Sequence, residues 1–315
     1  DWSSDVCSSD LSVLQVGHFP EIMQAEIDRR FTPTYHPDPQ APAPAGNFQA
    51  ILIRSNTKLP EALVQQIPSI RMVATCGVGY DNLPLEYLKA NGIKASNTPG
   101  VLNDAVCELA IGMMLALLRQ LPEAQEYVKS TTWSKAPFKL TTTLAGKRVG
   151  IAGMGRIGQD LADRLKPFKV EIAYSGPNQK ALPYTYHREI KDLAKDCDIL
   201  FLACPATPES NKMVNAEVLE ALGPTGYLIN IARGSVVDED ALLYALQHKK
   251  IAGAALDVFD NEPNPSKSFL NLDNVLLTPH IGSATSETRI AMTQLAVDNL
   301  EAFFKHQPLP SEVNN

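Results

Sequence analysis

The stretch that decides the fold is Gly146-Lys-Arg-Val-Gly-Ile-Ala-Gly-Met-Gly-Arg-Ile-Gly158, near the middle of the chain. The apolar run from Val149 to Ala152 predicts a short buried strand. Leu161 and Leu165 follow four residues apart, which predicts a helix after the glycines. A strand, a glycine turn and a helix in this order are the context in which the motif G-x-G-x-x-G indicates a dinucleotide site.

Each glycine of this motif has a physical purpose. Gly153 permits the tight turn, Gly155 lets the backbone approach a pyrophosphate, and Gly158 lets the helix pack on the strand. The first helical N–H groups, those of Arg156 and Ile157, are placed to meet the phosphates with the positive end of the helix dipole. A glycine-rich turn without a ligand is the alternative, and the strand–helix context favours the cofactor.

The composition indicates a globular protein of two domains. The chain has 315 residues, of which 44% are hydrophobic and 20% charged, and its net charge is −7. These values are ordinary for a soluble protein of this length. No run of lysine and arginine stands out, so nucleic acid and anionic membrane surfaces are not expected as partners. No apolar run is long enough to span a bilayer.

The first eleven residues, DWSSDVCSSDL, differ from the rest of the chain. They have no apolar period and no signal-peptide core, and they read like the translation of a sequencing adaptor. We expect residues 1–11 to be a non-native leader that replaces the true start. The natural N-terminus, and any targeting segment on it, is therefore left open.

The remaining four cysteines are Cys76, Cys107, Cys197 and Cys204. They show no C-x-x-C or metal-ligand spacing, and each stands among apolar residues. We expect free thiols, no metal site and a reducing, cytoplasmic location.

Predicted strands and helices alternate on both sides of the glycine motif. Before it, strands are expected at 12–16, 51–53, 71–75 and 93–95, and helices at 20–30, 60–67 and 85–90. From it onward, strands are expected at 148–152, 170–174, 199–203, 227–231, 252–256 and 275–278, and helices at 156–166, 188–195, 215–222 and 238–248. Long helices are expected at 102–120 and 285–304, and loops at 33–47 and 122–145. The alternation predicts an α/β protein whose parallel sheets are covered by helices on both faces.

Three segments place a charged residue just beyond a predicted strand, where open α/β sheets bind ligands. Arg233 can grip a carboxylate with two hydrogen bonds. Asp257 and Glu262 stand in the second segment, and His280 in the third. A His–Glu pair keeps the imidazole in one tautomer and favours its protonated form, as a general acid requires. Taken singly, each residue has a structural alternative: a surface arginine, solvated loop acids and a structural histidine.

Together, these segments resemble the D-isomer-specific 2-hydroxyacid dehydrogenases over nearly all of residues 12–310. The likeness rests on Gly-Met-Gly-Arg-Ile-Gly158, Ile-Ala-Arg-Gly-Ser235, Asp257-Val-Phe-Asp-Asn-Glu262-Pro and Pro279-His280-Ile-Gly282, in family-like order and spacing. Within the family, the chain looks most like the glyoxylate/hydroxypyruvate reductase branch. The resemblance implies two doubly wound parallel-sheet domains. A Rossmann NAD(P)-binding domain at residues 102–283 is inserted in a flavodoxin-like substrate domain at residues 12–101 and 284–315.

The resemblance also implies what individual residues do. Arg233 binds the substrate carboxylate, His280 gives its proton to the carbonyl oxygen as hydride arrives from the nicotinamide, and Glu262 orients and charges His280. The substrate contacts that it implies further are Ser283 and the N–H groups of Val78 and Gly79, whose glycine turn is also a physically sensible anion nest. The implied cofactor contacts are Gly153, Gly155, Arg156, Ile157, Gly158, Ser175, Cys204, Pro205, Ile231, Ala232, Asp257 and Gly282.

The resemblance further implies a homodimer, and the length of the helix expected at 102–120 is a second reason to expect one. Trp133 is expected either to reach a partner subunit's active site, as in the reductase branch, or to anchor a dimer arm. The two alternatives have equal support from the sequence.

The turn after the second Rossmann strand bears on the choice of cofactor. An acid there selects NAD because it accepts a hydrogen bond from the ribose 2′-hydroxyl. This chain has Ser175-Gly-Pro-Asn-Gln-Lys180, with no carboxylate to repel a 2′-phosphate. Ser175 and Asn178 can donate to that phosphate, and Lys180 is close enough in sequence to reach it. We expect NADP(H) to be favoured over NAD(H), with dual specificity as the alternative because no arginine stands in this turn.

The expected reaction is the reduction of glyoxylate or hydroxypyruvate. A bulkier aryl-pyruvate is the near alternative, since residues 54–58 and the region around Trp133 are expected to line the pocket without fixing its size. Formate dehydrogenases of this fold carry glutamine in place of Glu262, which disfavours that activity. A non-enzymatic, cofactor-sensing corepressor keeps the same three residues and stays open.

Overall fold

The structure, a computed structural model, describes residues 12–314 and divides the chain into two compact units. Within the described residues, the first unit comprises residues 12–102 and 284–314, and the second comprises Asn103–Ser283. The first boundary therefore falls one residue later than expected, and the second falls where it was expected. The expected leader at residues 1–11 lies outside the described residues.

The first unit is built on a five-stranded sheet. Its strands are β1 (Val13–Val16), β2 (Thr34–His36), β3 (Ala50–Arg54), β4 (Met72–Cys76) and β5 (Lys94–Ser96), and its helices are α1 (Glu21–Asp28), α2 (Glu61–Gln65), α3 (Leu85–Ala90) and the C-terminal helix (Ser286–Phe304). The strands are all parallel, in the order β2-β1-β3-β4-β5. This is the flavodoxin-like order.

The core of the first unit follows from the apolar strands. β1 and β4 are fully buried along their lengths, because a parallel sheet is covered on both faces. The C-terminal helix packs on β4 and α1, and buries Met292, Ala296 and Leu300. It therefore returns the chain to the first unit.

One prediction for this unit was wrong. β2 lies inside residues 33–47, which were expected to form a loop. β2 is an edge strand of three residues that pairs with β1 alone, and two of its side chains are exposed. A strand of this kind is made by its backbone pairing and carries almost no hydrophobic signal in the sequence.

The second unit is built on a seven-stranded parallel sheet. Its strands are β6 (Arg148–Ala152), β7 (Glu171–Ser175), β8 (Thr185–His187), β9 (Ile199–Leu202), β10 (Tyr227–Asn230), β11 (Gly253–Leu256) and β12 (Val275–Leu277). Its helices are α4 (Asn103–Arg119), α5 (Leu121–Lys129), α6 (Arg156–Leu165), α7 (Ile190–Lys195), α8 (Ala216–Leu222) and α9 (Glu239–Gln247). The order β12-β11-β10-β9-β6-β7-β8 is the Rossmann order with a seventh strand at one edge. The predicted fold class is confirmed.

The strand count of this unit was also wrong. Six strands were expected to complete the sheet, but the edge strand β8 was missed, and the last predicted strand is the seventh of the unit. β8 pairs only with β7 and has no fully buried residue, so it too lacks an apolar pattern.

Residues 122–145 were expected to be a loop, and this was wrong in part. Helix α5 and a short 3-10 helix at Thr132–Ser134 occupy part of this segment. No residue of α5 is buried, so the segment shows no apolar stripe from which a helix could be predicted. A ring contact between Tyr127 and Phe138, with centroids 5.2 Å apart, folds the segment onto itself.

Among the described residues, no single helix has the length and apolar composition needed to cross a membrane. Helices α4 and α5 pass that test only as a pair bent by 55°. Most of α4 is buried in the second unit, where it packs against α6 and β11.

The four described cysteines are free, as predicted. Burial raises the pKa of Cys76 and Cys197 to about 12, and that of Cys107 and Cys204 to about 11. These thiols are therefore protonated at neutral pH, and the cytoplasmic location expected from them stays a prediction.

Candidate active site

The candidate cofactor residues lie along one edge of the seven-stranded sheet, where its parallel strands end. The strand order reverses between β6 and β9, and a crevice opens at such a point in doubly wound sheets. Gly153 follows β6, and Cys204 follows β9 by two residues. A Cβ on Gly153 would lie 2.6 Å from the Cα and N of Cys204, so only glycine fits between these two loops.

The glycine turn has the shape that a pyrophosphate needs. A Cβ on Gly158 would overlap the carbonyl oxygen of Gly153, which explains the close packing of α6 on the turn. At Gly155 no atom lies within 4 Å of such a Cβ, so the backbone faces open space there. α6 begins at Arg156 with no acidic residue in its first turn, and its first N–H groups lack intrahelical partners. The residues present therefore fit the phosphates of a dinucleotide.

Two tyrosine hydroxyls hold the turn that follows β7. The Tyr174 hydroxyl accepts a hydrogen bond from Lys180 N at 2.7 Å and lies 3.2 Å from Lys180 O. The Tyr186 hydroxyl donates to Gly176 O at 3.0 Å. Ser175 is buried, whereas Asn178 and Lys180 are exposed and free to meet a ligand group.

Buried Asn230 shapes the loop that carries Arg233. Its amide nitrogen donates to Arg233 O at 3.0 Å, and its amide oxygen accepts from Ala232 N at 3.0 Å. Gly234 follows, and a Cβ there would overlap the Phe259 carbonyl group. The Arg233 loop is therefore pressed directly against the loop that leads to Glu262.

Glu262 and His280 form a hydrogen-bonded pair. Oε2 of Glu262 lies 2.6 Å from Nδ1 of His280, and Oε1 accepts from Phe259 N at 3.0 Å. Burial by itself would raise the pKa of Glu262, but the hydrogen bond and charge of His280, the Phe259 N–H and the charge of Arg233 together lower it. Glu262 is therefore a carboxylate at neutral pH, and the pairing at Nδ1 leaves Nε2 to serve a substrate.

Buried Asp257 holds the turn on which His280 stands. Its Oδ1 accepts from the Thr278 hydroxyl at 2.7 Å and from Ile281 N at 2.8 Å, and its Oδ2 accepts from Gly282 N at 2.8 Å. His280 has a φ of 53°, a left-handed conformation that costs a non-glycine residue free energy. These hydrogen bonds offset that cost. The cofactor contact implied for Asp257 stays a prediction.

The predicted carboxylate nest lies in the first unit, just after β4. Its carbonyl groups are anchored: Asn97 donates to Val78 O at 2.8 Å, and Thr98 N donates to Gly77 O at 2.8 Å. Among residues 12–314, the N–H groups of Val78 and Gly79 have no hydrogen-bond partner. They are thus available to an anion.

The remaining predicted residues fall at the ends of the same strands of the second unit. Pro205 follows β9, Ile231 and Ala232 follow β10, and Gly282 and Ser283 follow β12. The structure thus brings the predicted cofactor residues to one sheet edge, together with Arg233, Glu262 and His280. Their individual contacts with ligands stay predictions.

Three supporting residues carried no role in the sequence analysis. The Asn230 amide holds the Arg233 loop, and the Thr278 hydroxyl binds Asp257. Gly234 lets the Arg233 loop approach Phe259 because it has no Cβ. Gly234 stands inside the motif Ile-Ala-Arg-Gly-Ser235 and Asn230 directly precedes it, so their position was a signal. Thr278 had none, because its partner Asp257 is 21 residues away.

A Rossmann sheet with a dinucleotide turn, and a histidine–carboxylate pair beside an arginine on the same edge, define an NAD(P)-dependent oxidoreductase. Residues 111–282 match the family model of the D-isomer specific 2-hydroxyacid dehydrogenase, NAD binding domain. The chain belongs to this family.

Similar proteins cover nearly the whole chain. The chain is 41% identical over 309 residues to hydroxyphenylpyruvate reductase of Plectranthus scutellarioides, and the match covers 96% of this chain and 99% of that one. It is 42% identical over 268 residues to glyoxylate/hydroxypyruvate reductase A of Arabidopsis thaliana, and this match covers 85% of this chain and 86% of that one.

Among solved structures, an NADPH-dependent glyoxylate/hydroxypyruvate reductase from Sinorhizobium meliloti, in complex with NADP and malonate, superposes with a TM-score of 0.91. That chain is 39% identical, and the match covers 96% of this chain and 97% of that one.

Proposed function

We propose that this protein, with NADPH, reduces hydroxypyruvate to the D-2-hydroxyacid, or glyoxylate to glycolate, which has no stereocentre. The observation that carries the proposal is the 2.6 Å pairing of His280 Nδ1 with Glu262 Oε2, on the sheet edge that also carries the glycine turn and Arg233. An acid with a fixed donor atom and an arginine for a carboxylate are the groups that reduction of a 2-oxoacid requires.

In this proposal, the residues of the chain bind, orient and protonate. Arg233 binds the substrate carboxylate and polarises the neighbouring carbonyl group. Nε2 of His280 donates one proton to the carbonyl oxygen, and Glu262 stabilises the imidazolium before the transfer and fixes the neutral tautomer after it. The bound nicotinamide supplies the hydride. One hydride and one proton convert the oxoacid to the hydroxyacid, and solvent returns the proton to His280.

The preference for NADPH is supported by the turn after β7. The turn carries Asn178 and Lys180 on its exposed side and no carboxylate from Ser175 to Lys180. The similar reductase from S. meliloti is NADPH-dependent by name. A 2′-phosphate therefore meets donors and one cation in this turn, and no like charge.

The test is spectrophotometric. Purified protein is mixed with glyoxylate or hydroxypyruvate, and oxidation of NADPH and of NADH is followed separately. We expect turnover that favours NADPH and that collapses in a His280→Ala variant. The control is a His248→Ala variant, which changes an exposed histidine at the C-terminal end of α9 and should retain the turnover. Nucleotide binding without turnover of any 2-oxoacid would favour a cofactor-sensing protein.

A bulkier substrate is the second candidate, because hydroxyphenylpyruvate reductase matches 96% of the chain. Comparing kcat/KM for hydroxypyruvate and 4-hydroxyphenylpyruvate in one assay separates the two. If kcat/KM is higher for 4-hydroxyphenylpyruvate, the aryl-pyruvate becomes the proposed substrate, and the roles proposed for the catalytic residues stay the same.

We also propose a homodimer that uses the segment from α5 to Leu140. This segment exposes large apolar side chains, including Leu121, Val128, Trp133 and Leu140, the last of which is 98% exposed. An exposed apolar group of this size indicates a protein contact. Light scattering on a size-exclusion column should give twice the chain mass, and a Trp133→Ser/Leu140→Ser variant should shift the protein toward the mass of one chain.

A further inference from the structure

Among the residues that the structure describes, two arginines of the first unit have no acidic partner. Arg54 ends β3, and Arg289 lies near the start of the C-terminal helix. Within residues 12–314, neither forms an ion pair, and the hydrogen bond of Arg54 to His18 O is long, at 3.4 Å. Both side chains are half-buried, so water compensates these charges only in part.

The fold brings the two arginines to the same strand end. Arg54 stands in register with Cys76, the last residue of β4. Thr293 of the C-terminal helix, which packs on β4, lies near Cys76, and its hydroxyl donates to Arg289 O one turn earlier, at 2.8 Å. Arg54 and Arg289 therefore approach the end of β4 from the strand side and from the helix side.

The electrostatics of this cluster are unfavourable without a ligand. Burial lowers the pKa of Arg54, and burial followed by repulsion from Arg54 lowers the pKa of Arg289. The Cys76 thiol between them does not compensate, because burial raises its pKa to about 12 and it stays neutral. An oxyanion would offset both the burial and the repulsion.

The cluster adjoins the Val78–Gly79 nest. Gly77 links Cys76 to that nest, and a Cβ on Gly77 would overlap the side chain of Ser55, the residue after Arg54. Two neighbouring groups that both suit an oxyanion thus follow β3 and β4 at one edge of the sheet.

We propose that Arg54 and Arg289 form a second anion subsite, which binds the distal carboxylate of a dicarboxylic 2-oxoacid. The inference rests on the proposed function, since the ligand of the subsite is a 2-oxoacid of the kind that the protein is proposed to reduce. It adds a substrate class: four-carbon 2-oxoacids with a carboxylate at the far end are preferred over those with a methyl group there. A planar guanidinium suits this recognition because it binds a carboxylate through two hydrogen bonds.

The kinetic test compares oxaloacetate with 2-oxobutyrate, which have the same chain length and differ in the distal group. The wild type should show the higher kcat/KM for oxaloacetate. In Arg54→Gln and in Arg289→Gln, the ratio of the two kcat/KM values should fall roughly tenfold, the size expected when a charge-assisted hydrogen bond is lost. Arg71→Gln is the matched control, because Arg71 precedes β4 at the opposite end and binds the carbonyl groups of Pro68 and Ile70. Its ratio should equal that of the wild type.

A binding test keeps this inference separate from the proposed function. Calorimetry measures the dissociation constants of succinate and butyrate, which also differ only in the second carboxylate. Tighter binding of succinate that is lost in both arginine variants supports the subsite, even in a protein that reduces no 2-oxoacid. Equal binding of the two acids, or an unchanged oxaloacetate ratio in the variants of an active enzyme, overturns the subsite and leaves the reductase proposal intact.

Thermal unfolding distinguishes a subsite from a structural role. Removing one of two like charges should leave the Tm of Arg54→Gln equal to or above that of the wild type, because the repulsion disappears. A Tm several degrees lower in both arginine variants would assign them a structural role and contradict the subsite.

Discussion

Asp257 Oδ2 accepts a hydrogen bond from Gly282 N at 2.8 Å, across 25 residues of sequence, and this contact fixes the turn that presents His280. Asp257→Asn should lower kcat by about tenfold or more, because one carboxylate oxygen is replaced by an amide that cannot accept from a backbone N–H. The measurement is steady-state kinetics, with the KM for NADPH as second readout.

The same variant should leave the KM for NADPH within about twofold of the wild type if Asp257 acts through the His280 turn. Asp260→Asn, an exposed neighbour on the same loop, serves as the control and should behave as the wild type. A large rise in the KM for NADPH in Asp257→Asn would assign the residue to cofactor binding instead.

Glu262→Gln should lower kcat by about a hundredfold, within the range that acid–base residues contribute. Glutamine keeps the size of the side chain but no longer stabilises a positive charge on His280. Rapid-mixing measurement of the chemical step is the appropriate check. Full activity in this variant would show that His280 does not need a charged partner.

The pH dependence of stability follows from the lowered pKa of Glu262. Since the folded-state pKa lies below the unfolded value of about 4.3, the stabilisation by this carboxylate is fully present above that value. It is lost as the pH falls through the folded-state pKa. The difference in unfolding free energy between wild type and Glu262→Gln should therefore shrink as the pH falls from about 5 toward 3. Urea unfolding at a series of pH values measures it, and a difference that grows on acidification would reverse the sign.

Gly234→Ala should destabilise the protein by roughly 1–3 kcal/mol, the usual cost of overpacking, and should also raise the KM for the 2-oxoacid. The added methyl group would overlap the Phe259 carbonyl group and separate the loops of Arg233 and Glu262. Gly112→Ala in α4 is the control: no atom lies within 4 Å of its Cβ position, and a helix interior favours alanine. Denaturant unfolding and kinetics of both variants test the pair, and equal effects would contradict this account.

Asn178→Asp should lower kcat/KM for NADPH by about tenfold and leave that for NADH nearly unchanged, because the new carboxylate repels a 2′-phosphate. The substitution keeps the size of an exposed side chain. Asn271→Asp adds the same charge at another exposed position of the second unit and should change neither value. An equal loss with both nucleotides would show that the turn does not discriminate between them.

The sequence was informative where apolar runs and glycines set the backbone. The strands β6, β9 and β10 were predicted to within one residue, since parallel strands that are buried over most of their length are mostly apolar. The edge strands β2 and β8 and the exposed helix α5 were missed, because backbone pairing and local packing make them and leave no periodic pattern.

For the candidate site, the sequence by itself determined which residues are the candidates: the glycine turn, Arg233, Glu262 and His280 each follow a predicted strand. Only the tertiary structure decided how they are held. The Asp257 hydrogen bonds, the fit of Gly234 against Phe259 and the approach of Arg54 to Arg289 each involve residues far apart in sequence. Such contacts depend on distances set by the packing of whole strands and helices, and a pattern of residue types along one chain does not contain those distances.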